Sequence, residues 1–309
     1  MSKVSIVSPC YNGERFIARF LEAILKQTYS NIQLIVVDDG STDNTLAIMQ
    51  SYQAAFEKRG YEYHVVHQEN GGQAKAINTG LMLVDGEYFA WPDSDDFLFP
   101  ESVAKRVEFL QQNAEYGMVL SNGNEYADED LRLLKSSVVR CDQAENLLNS
   151  VLDMTAMFNN NGYLVRTNLL FSAYPNKCIY ESRAGQNIQI LLPLAAMSKC
   201  GYISEALYGR TIRADSHSKQ VKNMEQRMDS IDDIYYHTIL SMKADRAWFL
   251  MQYLSQRVYS SIVYYQSENP QKAQTYYKKL KQTIKILKRN QRKIRLHKIR
   301  EFLTRRKAK

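Results

Sequence analysis

The sequence is poor in cysteine, in proline and in long apolar runs, and poor in acid at its C-terminal end. Its 309 residues include four cysteines, six prolines and thirteen glycines. Cys10, Cys141, Cys178 and Cys200 stand apart with no CxxC spacing, which argues against a zinc site or a disulfide-stapled scaffold. A reducing cytosol suits such a chain. No apolar stretch approaches the ~20 residues that cross a bilayer. The best candidate, IQILLPLAAM over 188–197, stops well short and contains Pro193. The opening MSKVSIVSPCYNG lacks the basic start, apolar stretch and small-residue cleavage site of a signal peptide, and reads as a strand entering a turn. Residues 271–309 hold sixteen Lys or Arg against the single acid Glu301, a net +15. With +7 overall, the preceding 270 residues carry −8. Such asymmetry marks electrostatic contact with a polyanion.

What is present is the composition of a folded protein, with 45% hydrophobic, 11% aromatic and 24% charged residues. The first hundred residues alternate two periods. VSIVSPCY (4–11), IQLIVVDD (32–39), YEYHVVHQ (61–68) and GEYFAWPD (86–93) are β-branched and aromatic runs that read as strands. Between them come helical spacings: Phe16, Phe20, Ala23, Ile24; then Leu46, Met49, Tyr52, Phe56; then Ala76, Ile77, Gly80, Leu81. This order predicts an α/β fold, a mostly parallel sheet flanked by helices, with ligands beyond the carboxyl ends of the strands. Beyond residue 120 the pattern loosens. The segments 159–170 and 199–218 read as short strands and turns, 184–198 as a helix despite Pro193, and 223–268 as helical.

The predicted strand ends carry the polar residues: PCYNGE, DDGSTD, QENGGQ and DSDD. Three carboxylates within four residues, Asp93, Asp95 and Asp96, repel one another unless something cationic sits among them. Oxygen donors of this kind suit magnesium, manganese or calcium. An EF-hand is excluded, because counting from Asp93 its sixth and twelfth positions fall on Leu98 and Ala104. A metal held by one or two carboxylates completes its shell with water and substrate phosphates, which points to a nucleoside diphosphate. Asp39 can accept a hydrogen bond from a base or sugar, and Pro9 and Tyr11 offer a flat surface for stacking. Gly72 ends a flexible turn, and Lys75 follows at the start of a helix whose amide dipoles face the crevice.

Taken together, SIVSPCYNGERFI, LIVVDDGSTDNT, ENGGQAKAINTGL and WPDSDDFLFPESV resemble the nucleotide-sugar-binding half of a family 2 glycosyltransferase with the GT-A fold. The resemblance covers roughly residues 3–110. It implies inverting transfer of a sugar from a nucleotide diphosphate donor, most often a UDP-sugar, with Mn2+ or Mg2+ as cofactor. By motif position, Pro9, Tyr11 and Asp39 would hold the uracil, Asp93 would approach the ribose, and Lys75 would lie near the nucleotide. Asn12, Glu14, Gly72 and Ser94 belong to the same donor-binding motifs. Asp95 would ligate the metal, with His217 of RADSHS as a second ligand; the other reading of His217 is a turn cap.

One departure concerns the general base that inverting transfer requires. Relatives carry a Glu-Asp pair where RAGQNIQ places Gln186 and Asn187, whose amides accept no proton at neutral pH. These amides could still orient acceptor hydroxyls, and Glu181 is a nearby acid that could serve. A base supplied otherwise, or a nucleotide-sugar-binding protein with little transfer, are the alternatives. The expected organisation is a donor-binding half over 1–120, an acceptor-binding half over 121–220 and a C-terminal helical region over 221–309 with a basic amphipathic tail. The acceptor implied is a saccharide or lipid-linked sugar in bacterial surface polysaccharide or glycoconjugate synthesis. A processive membrane synthase is disfavoured for want of a spanning segment and a QxxRW motif. The tail suits an anionic membrane surface, with the protein cytoplasmic and peripheral on the inner face of the cell membrane. No helix-turn-helix, zinc or RNA-recognition pattern accompanies it, so no nucleic acid partner is expected. A solvated helix packing on the body or on a second copy in a homo-oligomer is the plain alternative.

Overall fold

The computed structural model describes residues 1–136, 144, 147–152, 160–182, 185–213, 224–242 and nine positions between 270 and 289. The chain divides into two compact units, Met1–Val221 and Lys222–Lys309.

Among the described residues, the first unit is built on a nine-stranded mixed sheet. Its leading strands are β1 (Val4–Cys10), β2 (Ile32–Asp38), β3 (Glu62–His67) and β4 (Tyr88–Ala90), adjacent and parallel in the order β3-β2-β1-β4. Every residue of β1 and β2 is buried, which is why both read as unbroken apolar runs rather than as alternating ones. The sheet continues through β8 (Tyr163–Arg166), antiparallel to β4, then β6 (Tyr116–Ala127), β9 (Lys199–Ile212) and the two-residue β5 (Phe97–Leu98). A short β7 (Leu133–Lys135) pairs with β6 off this path.

Helices α1 (Ile17–Leu25), α2 (Thr45–Ser51), α3 (Gln53–Arg59), α4 (Gln73–Leu81) and α5 (Ser102–Gln112) connect and cover the first strands. Beyond them come α6 (Leu147–Leu152), α7 (Thr167–Ala173) and α8 (Gln186–Met197), and α9 (Met224–Ser241) in the second unit. The core beneath α1 to α3 joins Phe20, Ile24, Met49, Phe56 and Tyr63, with the Phe56 and Tyr63 rings stacked at 4.2 Å. Because β1 has β2 on one side and β4 on the other, the chain order reverses between β1 and β4. In open α/β sheets that reversal opens a crevice beyond the carboxyl ends of those two strands.

Two expectations are corrected. The stretch 199–212 is one fourteen-residue strand, not several short ones. Its pairing with β6 shifts register opposite Ser121, Asn122 and Asn124, so the burial alternation that marks a long strand is lost. Thr167–Ala173 is a helix rather than a turn. Helix α8 forms as expected despite Pro193. That proline leaves the carbonyl of Gln189, four residues earlier, without its helical donor, and the hydroxyl of Tyr174 donates to it instead.

Candidate active site

The loops beyond β1 and β2 are laced to each other. Asn12 N–H donates to Ser41 Oγ at 2.9 Å, and Thr42 N–H donates back to Asn12 Oδ1 at 2.9 Å. Gly13 N–H donates to Thr45 Oγ1 at 2.6 Å, and Glu14 Oε2 accepts from Asn44 N–H at 3.1 Å. Asn12 and Glu14 therefore brace the crevice wall. Burial pushes the Asp43 carboxyl up, but hydrogen bonds from Thr45 and from Glu14 N–H outweigh it and hold the group below the usual carboxylate range. Tyr11 stands 45% exposed just beyond the end of β1. Pro9, in contrast, is buried inside β1 and presents no stacking surface. Its missing N–H costs nothing there, because Val4 bonds toward β2 and alternation turns Pro9 toward β4, whose ladder stops at Ile6.

Asp39 is 3% exposed, and its carboxylate is spent on the next loop. It accepts from Gly71 N–H at 2.9 Å, Gly72 N–H at 2.8 Å and Gln68 Nε2 at 2.7 Å, while Asn70 Nδ2 donates to its carbonyl. This close approach needs glycine at two places. Gly40 has φ +73° with Asn70 N 2.6 Å from where a Cβ would stand, and Gly72 has φ +88°. Asp39 thus sets the β3–α4 loop, and through it the first turn of α4, where Lys75 is exposed. Its neighbour Asp38 is wholly buried and pairs with His67 Nδ1 at 2.6 Å.

The acidic cluster lies just beyond β4, at the reversal. Ligand oxygens of Asp93, Asp95 and Asp96 come within 4.8 Å of one another. Asp96 is buried and bracketed: Thr211 N–H donates to Oδ1 at 2.7 Å and Asn161 Nδ2 to Oδ2 at 2.6 Å. Burial first, then the charges of Asp95 and Asp93, push its carboxyl well above the usual range. Ser94 is 7% exposed and packs inward toward Cys10. Asp93 accepts from Gln73 Nε2 at 3.3 Å. Asp95 is 25% exposed, and its Oδ2 accepts from Arg213 Nη2 at 2.7 Å. Arg19 Nη2 donates to the Asp95 carbonyl at 2.7 Å.

Arg213 is the cation paired with this cluster, and Arg19 braces its backbone through the Asp95 carbonyl. Sequence reasoning named neither, although Arg213 stands in the segment already singled out for His217, which lies outside the described residues. Arg213 also covers the Phe16 ring at 4.8 Å, and Arg19 pairs with Asp128 at 3.4 Å. A hard divalent cation fits this donor set. Asp93 and Asp95 are partly exposed oxygen donors, Asp96 stands buried behind them in the grip of Thr211 and Asn161, and the repulsion that raises its carboxyl is what a cation would offset.

Across from α4 runs the segment 179–182, held by two amides. Asn78 donates to the Ile179 carbonyl at 3.0 Å and accepts its N–H at 2.8 Å. Gln189 does the same for Tyr180, both at 2.8 Å. Between these clamps and α8, Tyr180 and Glu181 are exposed. Gln186 is 6% exposed, and its Nε2 donates to the Ser182 carbonyl at 2.9 Å, so it supports this segment rather than meeting solvent. Asn187 is half-buried beside it.

A family model for Glycosyl transferase family 2 matches residues 5–179, more than half of the chain. Glycosyltransferase GlyG of Streptococcus pneumoniae is 39% identical over 128 residues, 41% of this chain and 41% of that protein. An uncharacterized glycosyltransferase of Rickettsia felis is 36% identical over 141 residues, 44% of this chain but 22% of its own length. The chain thus spans well under half of these relatives. Among solved structures, Staphylococcus aureus TarS 1–349 in complex with UDP-GlcNAc superposes with TM-score 0.63 at 24% identity, covering 84% of this chain and 73% of that one. The mannosyltransferase PcManGT of Pyrobaculum calidifontis, in complex with GDP-Man and Mn2+, gives TM-score 0.56 at 13% identity over 85% of this chain and 75% of its own. At those identities the two structures speak for the fold, which is the GT-A architecture anticipated from the four motifs. With the family match covering the strand ends that carry Asp39, Lys75 and Asp95, this chain belongs to glycosyl transferase family 2.

Proposed function

We propose that this protein transfers a sugar, with inversion, from a UDP-sugar to a hydroxyl of a saccharide or lipid-linked acceptor, using a divalent cation, Mn2+ or Mg2+, held by Asp95. The observation that carries the reading is the Asp93, Asp95 and Asp96 cluster at the strand-order reversal, framed by Arg19 and Arg213. TarS with UDP-GlcNAc and PcManGT with GDP-Man and Mn2+ lend support, being nucleotide-sugar complexes on the same fold.

In this reading Tyr11 stacks on the base, while Asp39 holds the wall on which the base rests. Asp93 faces the ribose, and Lys75 counters phosphate charge from the first turn of α4. Asp95 is the principal metal ligand, with His217 as the proposed second. A cation held by Asp95 would, when bound, offset the charge that develops on the leaving diphosphate. Arg213 gives up Asp95 when the diphosphate arrives and takes a phosphate oxygen as its new partner. Glu181 is the group on the acceptor side able to remove the hydroxyl proton; Gln186 and Asn187 orient but accept no proton. On this reading the protein works in the cytoplasm, in synthesis of a bacterial surface polysaccharide or glycoconjugate.

Isothermal titration with UDP and with GDP, each with manganese and with excess chelator, tests it. The expected result is metal-dependent UDP binding that Asp95→Ala weakens by at least ~10-fold, about 1.4 kcal/mol. Failure of both nucleotides to bind, or equal binding by the variant, would overturn it. Glu181→Gln should keep UDP affinity and lower turnover about 100-fold or more. UDP binding by the unaltered protein with no sugar transfer would instead favour a donor-binding protein that has lost the chemistry.

A further inference from the structure

Sugar transfer makes no use of the strongest charge in the molecule. Residues 271–309 carry sixteen Lys or Arg and one acid, whereas the 270 residues before them sum to −8. Nine positions between Pro270 and Arg289 are described; all are helical and all are exposed. They include Lys278, Lys281, Lys285 and Arg289. At the 3.6 residues per turn of a helix, steps of three, four and four keep these four positions within an arc of about 80°, one row in the helical period. The other described positions on that side are Gln271, Gln274, Thr275 and Gln282, uncharged and without an aromatic ring. In the period of the sequence, Tyr276, Leu280, Ile284 and Leu287 fall about half a turn out of phase with the stripe.

We infer that the Lys278, Lys281, Lys285 and Arg289 stripe is a docking surface for an anionic lipid bilayer, which it meets by charge and not by insertion. A straight row of cations needs no shape complement from a flat, laterally mobile anionic surface, because the lipids rearrange under it. Three of the four are lysines, point charges suited to headgroup phosphates, and not the planar forks that read base edges. The apolar residues lie out of phase with the cations, so inserting them would turn the stripe toward water. The acidic first 270 residues are repelled by the same surface, which leaves the basic segment 271–309, with this row at its start, as the part that makes contact.

The test is flotation of the full chain with vesicles of phosphatidylcholine alone and of equal parts phosphatidylcholine and phosphatidylglycerol. Binding is expected only to the anionic vesicles. It should fall at least ~10-fold as NaCl rises from about 0.1 M to about 1 M, where the screening length shrinks from about 10 Å to about 3 Å. Joint substitution Lys278→Glu, Lys281→Glu, Lys285→Glu and Arg289→Glu should abolish it, and the four-fold Gln variant should weaken it at least ~10-fold. Lys58→Glu with Lys135→Glu, on the first unit, should leave it intact. Circular dichroism and UDP titration on every variant separate loss of docking from loss of fold or of the donor site. Binding to neutral vesicles, binding that survives high salt, or no flotation by a protein that still folds would each overturn the inference. So would tighter binding to duplex or single-stranded oligonucleotide than to anionic vesicles.

Discussion

Tyr174 repairs the defect that Pro193 makes in α8, and the pair shows how single residues here answer single physical demands. The Gln189 carbonyl that Pro193 cannot satisfy is buried and takes the Tyr174 hydroxyl as its donor. Tyr174→Phe should therefore destabilise the protein by about 1–3 kcal/mol, the cost of an unmet buried acceptor. In the Pro193→Ala background a backbone N–H returns and the same change should cost markedly less. A double-mutant cycle in urea reads the difference. The amide of Asn78 is a second such answer, joining α4 to Ile179 by both its oxygen and its nitrogen. Asn78→Ala should leave UDP affinity within about two-fold while lowering transfer at least ~10-fold, since it frees the segment bearing Glu181 and leaves the donor loops alone. Neither residue was legible in the sequence as a site residue. An asparagine or tyrosine with a long-range partner looks like any other polar helix or loop position.

At the scale of elements, the sheet is held at both strand ends by polar groups of opposite purpose. Opposite the crevice, Lys3 meets Glu62 and Asp85, each at 2.9 Å, and Gln33 donates to Glu62 at 3.0 Å and to the Leu83 carbonyl at 3.2 Å. The Lys3 hydrogen bond, partly opposed by burial, brings the Glu62 carboxyl down from 4.5 to about 2, and Glu62 and Asp85 raise the Lys3 ammonium in turn. A depressed carboxyl stabilises the fold fully above its unfolded value, and that contribution fades as pH falls from 4.5 toward 2. Glu62 is 40% exposed, so solvent screening leaves about 1 kcal/mol or less. Lys3→Met should accordingly narrow its stability deficit against the unaltered protein as pH drops from about 5 to about 2, measured by urea midpoints. At the other end the strand-end loops were legible as a crevice, because Gly, Asn, Asp and Ser clusters interrupt apolar runs there. That Asp39 fastens the β3–α4 loop was not, since only the folded loop shows its oxygens engaged by Gly71 and Gly72.

At the scale of the whole molecule, two units are joined in one chain, and the proposed donor site falls entirely within the first, Met1–Val221. Calorimetry is expected to show two transitions, of which UDP with manganese raises one. At about 100 times the dissociation constant the gain is about 2.7 kcal/mol, roughly 5–10 °C for a unit of this size. A single transition would show that the units unfold together. Among the described residues no helix is long and apolar enough to cross a membrane, which agrees with the apolar runs in the sequence.

The sequence by itself determined the strands β1 to β4, the crevice at their ends and the acidic cluster, because burial and turn chemistry are recorded by neighbours a few residues apart. Its four motifs were sufficient to name the family. Tertiary structure alone decided who answers the acids. Arg213 reaches Asp95 across 118 residues of sequence, Thr211 reaches Asp96 across 115, and Asn78 reaches Ile179 across 101. No periodicity marks such partners. They meet because the ends of β4 and β9 and the side of α4 come together in the folded sheet, and a charge or an amide pairs with what the fold sets beside it.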